Sequence, residues 1–351
     1  MVLLANELVE RGYAVDLVLV QVVGPYRSEV DDRVRIVDLA ASRNILSLWP
    51  LVQYLRRERP TVLLSALADI NCISVWARTL SGVDCRLVLS AHNTLSQSVR
   101  YASQRRSKLT PTLARYSYPY AESVIAVSAG VADDLASIIH LRRDAISVIY
   151  NPVVTKGLIG KSLEKLDHPW FSAGQPPVIV AAGRFCPQKD FPTLLNAFYR
   201  LRRKRPVRII VLGEGECRTE LERLVRELGI EEDVALPGFV SNPFAYMRNA
   251  SIFVLSSAWE GFGNVLVEAM ACGTPVVSTD CPSGPAEILE GGRWGRLVPV
   301  GDDVALASAM AAALDETDRP DVVARASEFS VDRALSGYLA VMLPEMSASS
   351  S

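Results

Sequence analysis

The chain has 351 residues, of which 49% are hydrophobic and 22% charged, and its formal net charge is −2. This length suits two domains of ordinary size, each with its own core, and the near-neutral charge gives no sign of a nucleic-acid-binding protein. The six cysteines form no C-x-x-C pair and lie near no cluster of histidines. Their spacing argues against a zinc site and a disulfide framework, and it favours small buried thiols in a reducing cytosol.

The first predicted element is a helix over Met1–Gly12 that ends at a glycine cap. Apolar runs of strand length then alternate with longer amphipathic segments, the pattern of a parallel sheet covered by helices. The strand candidates of this first half are Ala14–Val20, Arg35–Leu39, Thr61–Ser65, Arg86–Ser90, Ser123–Val127 and Ile146–Ile149. We predict an N-terminal Rossmann-like domain over residues 1–152.

A Rossmann-like domain normally opens with a strand and a glycine loop, and neither precedes the first helix here. The expectation is therefore a first domain truncated at its front and lacking its first strand. No apolar run reaches the length of a membrane-spanning helix, and no signal peptide is expected at residues 1–9, because they contain Asn6 and Glu7 and lead into an amphipathic helix. A cytoplasmic location is predicted.

The second half repeats the alternating pattern after a segment rich in glycine and proline, residues 153–177, which we interpret as a linker and surface excursion. A second Rossmann-like domain is predicted over residues 178–329, then a helix over 330–346 that crosses back to the first domain and a disordered tail, 347–351. The strand candidates of this half are Val178–Ala182, Arg208–Leu212, Val234–Leu236, Ile252–Leu255, Pro275–Ser278 and Gly295–Val298.

The stretch that carries the clearest chemistry is Trp259–Ala269, in which Glu260 and Glu268 are separated by Gly-Phe-Gly and an apolar run. It predicts a strand, a glycine turn and a helix. A helix that begins at a glycine turn presents backbone N–H groups and a positive dipole end to anions. Two carboxylates beside such a turn can accept hydrogen bonds from hydroxyl groups, as in a sugar.

Two cations follow the predicted strand Val178–Ala182, where ligands of open α/β sheets bind. Arg184 and Lys189 would suit a diphosphate, the first as a fork and the second as a point charge; the alternative is two solvated surface cations. Gly213 and Gly215 follow the next strand, and either a nucleotide contact or an ordinary turn explains that pair.

The second half resembles the retaining GT-B glycosyltransferases of family 4, whose fold has two Rossmann-like domains facing across a cleft. The resemblance is carried, in family order, by Ala182-Gly183-Arg184, Gln188-Lys189-Asp190, Leu212-Gly213-Glu214-Gly215, Pro237-Gly238-Phe239, Glu260-Gly261-Phe262-Gly263, Glu268-Ala269, Cys272–Val277 and Gly284-Pro285-Ala286-Glu287. It implies an N-terminal acceptor domain and a C-terminal nucleotide-sugar donor domain.

The resemblance also implies roles for individual residues. Arg184 and Lys189 would hold the donor diphosphate, Glu268 would bind the ribose hydroxyls and Glu260 the donor sugar. Gly183 and Gly213 would lie against the donor, together with the backbone around Phe262, Gly263, Asn264 and Val265. No cofactor and no metal is expected, because fixed cations and a helix end can stabilise the leaving diphosphate.

In the first domain His92 follows the strand candidate Arg86–Ser90. A lone histidine is often structural, but this position resembles the family's histidine-bearing loop, which implies that His92 orients the sugar or the acceptor. A basic segment with tyrosines close behind it comes next. It suits the acceptor or an anionic membrane surface, with a solvated helix face as the alternative; its cations are Arg100, Arg105, Arg106 and Lys108.

The sequence thus predicts a retaining glycosyltransferase that moves a hexose or N-acetylhexosamine from a nucleotide sugar, with UDP the expected nucleotide. The expected acceptor is a glycan or a lipid-linked saccharide, and the inner face of the cytoplasmic membrane is the expected place for a peripheral enzyme. Activity is expected to depend on the missing N-terminal segment. Two alternatives are a sugar-nucleotide epimerase of GT-B fold and a nucleotide-sugar-binding remnant without catalysis.

Overall fold

The computed structural model describes residues 1–22, 27, 29–100 and 109–344. The chain forms two compact units, the first made of residues 1–152 with 331–351 and the second of residues 153–330. Residues 153–177, predicted as a linker and excursion, belong to the second unit. Helix α7 (Lys156–Ser162) lies within that segment.

Helices and strands alternate along the first unit, as the apolar periodicity predicts. In chain order they are α1 (Val2–Glu10), β1 (Asp16–Leu19), β2 (Arg35–Asp38), α2 (Leu48–Glu58), β3 (Val62–Ala66), α3 (Ala68–Ser81), β4 (Arg86–Ala91), α4 (Leu95–Arg100), α5 (Thr110–Ser117), β5 (Ser123–Ala126), α6 (Ala129–Ile139) and β6 (Ile146–Val148).

The strands of this unit pair in parallel and form two sheets in the described residues, one of β1 with β2 and the other in the order β3-β4-β5-β6. Parallel strands have both faces covered and are therefore continuously apolar. Strand β4 lies between β3 and β5, and its residues from Leu87 to Ser90 are fully buried. The end of this central strand carries His92.

The second unit repeats the architecture over a contiguous stretch of chain. Its elements are α7, β7 (Val178–Ala182), α8 (Phe191–Arg202), β8 (Arg208–Leu212), α9 (Arg218–Leu228), β9 (Val234–Gly238), α10 (Pro243–Asn249), β10 (Ile252–Leu255), α11 (Asn264–Ala271), β11 (Val276–Thr279), α12 (Pro285–Ile288), β12 (Arg296–Val298), α13 (Asp303–Asp315) and α14 (Val322–Ala326).

The six strands of the second unit form one parallel sheet in the order β12-β11-β10-β7-β8-β9. The first strand of the unit, β7, is therefore central, and the strand order reverses between β7 and β10. In open α/β sheets ligands bind outside the carboxyl ends of the strands at such a reversal. The loops that follow β7 and β10 meet at this point.

The last helix of the chain, α15 (Val331–Met342), returns to the first unit. Its residues Leu335 and Tyr338 pack in one buried cluster with Val88 of β4 and Ile125 of β5. This helix thereby covers one face of the sheet whose central strand ends near His92.

The predicted fold class, α/β with parallel sheets in two domains, is confirmed. All twelve strand candidates correspond to strands among the described residues, with ends that differ by no more than two residues. Strands β7, β8 and β10 have the predicted bounds because each is a short apolar run closed by a glycine, a serine or a charged residue. The missing first strand of the N-terminal domain stays a prediction.

Candidate active site

The candidate site of the second unit is built on the loops that leave β7 and β10. The β7 loop contains Arg184 and Lys189, and the β10 loop leads through Glu260 to Gly263, the residue before α11. Hydrogen bonds join the two loops: the amide of Ala258 donates to the Gln188 carbonyl over 2.8 Å, and the Gln188 side-chain amide donates to the Trp259 carbonyl over 3.0 Å. The two loops therefore act as one surface.

A buried ion pair lies at the centre of that surface. The Lys189 ammonium donates to Glu260 Oε1 over 2.5 Å, and the side chains are only 15% and 7% exposed. The Ser257 hydroxyl donates to the same carboxylate oxygen over 2.7 Å. A buried carboxylate needs such partners because desolvation of an unpaired charge is costly. Two predicted site residues are thus in direct contact.

Ser257 was not predicted from the sequence as a site residue. The only signal for it is its position two residues after β10, the strand that borders the reversal of strand order. Cys281 was also missed. Burial, followed by the charge of Glu260, raises the pKa of the Cys281 thiol to about 12, so this thiol is neutral and lies close to the carboxylate.

Arg184 differs from Lys189 in its surroundings. Its side chain is 73% exposed and pairs with Glu216 of the β8 loop over 3.0 Å. An exposed pair of this kind contributes little stability, so the guanidinium can exchange one anionic partner for another at small cost. The structure holds one of the two predicted diphosphate ligands, Lys189, in a buried pair and the other at the surface.

Glu268 lies on α11, one turn after Asn264, where residues four apart share a helix face. Burial raises the pKa of its carboxyl to about 7, and the nearby positive charge of Lys189 partly offsets that rise. Lys189 therefore influences both carboxylates of the motif. A carboxyl with a pKa near 7 can donate or accept a hydrogen bond, depending on the pH.

Two glycines allow the loops to approach as closely as they do. A Cβ at Gly213, which has φ +142°, would lie 1.9 Å from the Gly183 carbonyl oxygen. A Cβ at Gly284, with φ +98°, would lie 1.8 Å from the Phe262 carbonyl oxygen. Both contacts are far inside van der Waals distance, so only glycine fits. Gly183 itself is covered by the aliphatic stem of Lys189.

The Gly-Phe-Gly turn has two distinct faces. The Phe262 ring is 2% exposed and packs edge-on against Phe329 at 5.3 Å, so the ring belongs to the core. Gly263 adopts φ +98° as the residue before α11, and Asn264 and Val265 open the helix at the carboxyl edge of the sheet. This turn can offer a ligand its backbone and the start of a helix.

His92 lines a separate cavity of about 290 Å³ in the first unit. Burial lowers the pKa of its imidazole to about 4, so the ring is neutral at physiological pH. Its Nε2 lies 3.0 Å from the Ser90 hydroxyl oxygen. The other lining residues are Leu67, Ala68, Asp69, Ala91, Asn93, Leu95, Val99, Thr110, Tyr118 and Leu135.

The predicted basic patch lies only in part within the described residues. Arg100 is the exposed last residue of α4, whereas Arg105, Arg106 and Lys108 lie outside them. Within the described ranges, no group of three or more His, Cys, Asp or Glu residues is arranged to hold a metal ion. No helix there combines the length and hydropathy needed to cross a bilayer.

Family profiles match both units. A profile described as Glycosyltransferase Family 4 matches residues 1–156, and one described as Glycosyl transferases group 1 matches residues 176–316. Together they cover most of the chain.

Two relatives illustrate the sequence similarity. The chain is 33% identical over 234 residues to the N-acetylgalactosamine-N,N'-diacetylbacillosaminyl-diphospho-undecaprenol 4-alpha-N-acetylgalactosaminyltransferase of Campylobacter jejuni, an alignment covering 66% of this chain and 61% of that protein. It is 31% identical over 224 residues to the lipopolysaccharide 1,6-galactosyltransferase of Salmonella typhimurium, covering 58% and 59%. The chain thus spans about three fifths of the length of these relatives.

A solved structure agrees with the fold. Alr3699/HepE of Anabaena, crystallised with UDP-glucose, superposes with a TM-score of 0.78 at 21% identity, covering 99% of this chain and 94% of that one. This likeness shows the GT-B fold, and the two profiles show that the chain belongs to glycosyltransferase family 4.

Proposed function

We propose that the chain transfers a hexose or N-acetylhexosamine from a nucleotide sugar, with UDP as the nucleotide, to a glycan or lipid-linked saccharide. The observation that carries the proposal is the Lys189 ammonium enclosed between the β7 and β10 loops, paired with Glu260 and close to Glu268. A buried cation at the switch point of a parallel sheet is suited to an anionic ligand.

The chemistry of transfer needs such a cation. Breaking a glycosyl–phosphate bond leaves negative charge on the departing diphosphate, and preorganised cations and backbone N–H groups stabilise that charge. Lys189 and Arg184 supply the cations in this proposal, and the turn at Gly263 supplies backbone. Arg184 would leave Glu216 for the diphosphate, an exchange that costs little because the pair is exposed. The proposed reaction uses no metal and no cofactor.

The two glutamates have different parts in the proposed donor complex. Glu260 accepts a hydrogen bond from a hydroxyl of the sugar, and Glu268 binds the ribose hydroxyls. Glu260 is held by both Lys189 and Ser257, an arrangement that favours a fixed hydrogen-bond acceptor over a free nucleophile. We therefore infer retention through front-face attack, in which the leaving phosphate takes the acceptor proton, in preference to the double displacement of retaining glycosidases.

The relatives support the acceptor class. One is named for transfer to a diphospho-undecaprenol-linked saccharide and another for transfer to lipopolysaccharide. The UDP-glucose complex of the Anabaena neighbour supports UDP as the nucleotide. His92, neutral and lining its cavity, orients the sugar or the acceptor by hydrogen bonding in this proposal.

The test is transfer by the purified chain. It is incubated with labelled UDP-glucose, UDP-galactose, UDP-GlcNAc or UDP-GalNAc and a polyprenyl-diphosphate-linked saccharide in detergent, and the anomeric configuration of the product is read by NMR. Transfer with retention supports the proposal. Nucleotide-sugar binding without turnover supports a binding remnant, and conversion of one UDP-sugar into its epimer supports the epimerase.

Variants connect that activity to the site. Replacing both Arg184 and Lys189 by alanine is expected to lower turnover on the order of a hundredfold or more if both stabilise the leaving group. Arg223→Ala is the matched control, since Arg223 pairs with Glu227 over 3.0 Å at the surface of α9. Normal turnover in the double variant would remove the diphosphate assignment.

We also propose that the first unit docks on an anionic membrane from the cytoplasmic side. Four large side chains on and beside α5, spaced by three or four residues, are 41–70% exposed: Leu109, Leu113, Tyr116 and Tyr120. Thr110 of the same helix lines the His92 cavity. Exposed Arg100 and Arg115 flank this surface, and Arg105, Arg106 and Lys108 add positive charge in sequence. Tyrosines and cations beside leucines suit a bilayer interface.

Vesicle sedimentation tests the docking. Binding is expected to vesicles of phosphatidylglycerol, to weaken with salt, and to fall at least several-fold in the Leu113→Ser, Tyr116→Ser double variant. Phe239→Ser, which changes a 76% exposed side chain of the second unit, should bind like the parent chain. Equal binding to neutral and anionic vesicles, or an unaffected double variant, would overturn the proposal.

A further inference from the structure

Two buried hydroxyl groups, those of Ser90 and Tyr338, are connected to His92. Neither was predicted from the sequence as a site residue. The Ser90 hydroxyl oxygen is 3.0 Å from His92 Nε2 and 3.3 Å from the Tyr338 hydroxyl oxygen. Ser90 is fully buried and Tyr338 is 2% exposed. Tyr338 belongs to α15, 248 positions further along the chain than Ser90. A helix from the far end of the sequence is thus connected to His92 through Ser90.

The regular geometry of β4 accounts for this meeting. Side chains two apart in a strand point to the same face of the sheet, so Val88, Ser90 and the residue after the strand end, His92, lie on one face. Helix α15 covers that face, where Tyr338 packs in the same cluster as Val88. The Tyr338 hydroxyl lies at a polar residue on this face of β4, Ser90, beside the apolar contact with Val88.

The direction of the hydrogen bonds follows from what each group can donate. Burial raises the pKa of Tyr338, so the phenol keeps its proton. The Tyr338 hydroxyl then donates to the Ser90 hydroxyl oxygen, and Ser90 donates to His92 Nε2. In the reverse order the Tyr338 proton would have no acceptor among the described residues, and a buried donor without a partner is disfavoured.

We propose that Tyr338 and Ser90 are positioning residues that hold His92 as the tautomer protonated at Nδ1. In a neutral imidazole one nitrogen donates and the other accepts. With Nε2 occupied as the acceptor from Ser90, the ring presents Nδ1–H as a donor to a ligand oxygen. His92 then orients a sugar or acceptor hydroxyl rather than removing its proton, and only this last step rests on the proposed function.

The tautomer is tested without any substrate. Nitrogen-15 NMR of the full chain distinguishes the protonated ring nitrogen, and the chain has only three histidines to assign. The parent chain should show His92 protonated at Nδ1. Ser90→Ala should move the population towards protonation at Nε2, Tyr338→Phe should do so to a smaller extent, and Ser90→Thr should restore the parent signature. A parent ring protonated at Nε2, or a tautomer unchanged in Ser90→Ala, would overturn the proposal.

A matched control separates positioning from loss of folding. Tyr54→Phe removes a different tyrosine hydrogen bond of the same unit, the 2.7 Å contact to Asp16, and should leave the His92 signature unchanged. In transfer assays Tyr338→Phe should lower kcat several-fold with little change in the KM for the nucleotide sugar, since the donor residues lie in the second unit. If transfer itself fails but the tautomer is as expected, the proposed function falls and the positioning role stands.

Discussion

Among single residues of the candidate site, Lys189 and Glu260 are those whose replacement should change stability most, because they form a buried ion pair. Because both side chains are largely buried, removing one partner leaves a desolvated charge, a larger loss than the pair's own net contribution. The same property suits the pair to the proposed function, because it holds a cation in a low-dielectric environment. In the proposed donor complex, the donor diphosphate competes with Glu260 for this cation.

Lys189→Met is expected to destabilise the chain by about 3–5 kcal/mol, because Glu260 stays buried without its cation. Urea unfolding followed by circular dichroism measures this loss. Adding Glu260→Gln should recover part of it by removing the stranded charge. Arg223→Met, which breaks an exposed pair with Glu227, should cost no more than about 1 kcal/mol. Equal losses in the two methionine variants would contradict the assignment of Lys189 to a buried pair.

Glu268 gives a pH dependence whose sign follows from its raised pKa. The native carboxyl has a pKa of about 7 against 4.5 for an unperturbed glutamate, so between these pH values the native chain holds a proton that the unfolded chain releases. Stability from this group is therefore present below about pH 4.5 and lost as the pH rises to about 7.

The Glu268→Gln variant lacks this titration. Its free energy of unfolding, relative to that of the parent chain, should increase by on the order of 3 kcal/mol between pH 4.5 and pH 8. Urea unfolding at a series of pH values measures the difference. A difference that does not vary with pH would mean that the native carboxyl titrates normally.

At the scale of elements, the loops at the carboxyl ends of β7 and β8 depend on backbone contact. The Gly183 amide donates to the Leu212 carbonyl and the Phe185 amide to the Glu214 carbonyl, so the β7 loop takes its shape from its neighbour. A side chain between these loops would move Arg184 and Lys189 together. The positions of these two cations therefore depend on the geometry of both loops.

Gly213→Ala is expected to displace the β7 loop, because its Cβ would overlap the Gly183 carbonyl oxygen. We expect a stability loss of about 2–4 kcal/mol from backbone strain and overlap, with a larger proportional loss of UDP affinity by calorimetry. Gly160→Ala in α7 is the control, since no atom lies near its added Cβ and alanine favours a helix by about 1 kcal/mol. UDP binding unchanged in Gly213→Ala would exclude this loop from the donor site.

At the scale of the whole molecule, the two units differ in how the chain builds them. The second unit is contiguous, whereas the first is completed by residues from 331 onward. Leu335 and Tyr338 of α15 lie in the same buried cluster as Leu4 and Val88. The first unit therefore depends on contacts between the two ends of the chain, and the second does not.

Differential scanning calorimetry should resolve this difference. We expect UDP to raise the unfolding midpoint of the second unit alone, and at a hundred times its Kd to add about 2.7 kcal/mol to the stability of that unit. Hydrogen exchange identifies the protected residues as those between 153 and 330. Glu268→Ala should abolish most of the shift, and protection of residues in the first unit instead would contradict the assignment of the donor site.

Some strand bounds and residue positions of the second unit were predictable from sequence, and others were not. The bounds of β7, β8 and β10 were predictable because strands covered on both faces are short apolar runs with polar or glycine ends. The positions of Arg184, Lys189 and Glu260 on the loops were predictable for the same reason. Ser257 and Cys281 were not, since isolated serines and cysteines carry no local pattern.

The alternation of strands and helices, the division into two domains and the family follow from sequence, because they depend on local periodicity and on short motifs. Which side chains meet was not predictable before the fold was known. Lys189 and Glu260 are 71 positions apart and Ser90 and Tyr338 are 248 apart. Their contacts depend on the order of strands in a sheet and on the face that a returning helix covers, and neither is encoded in a window of neighbouring residues.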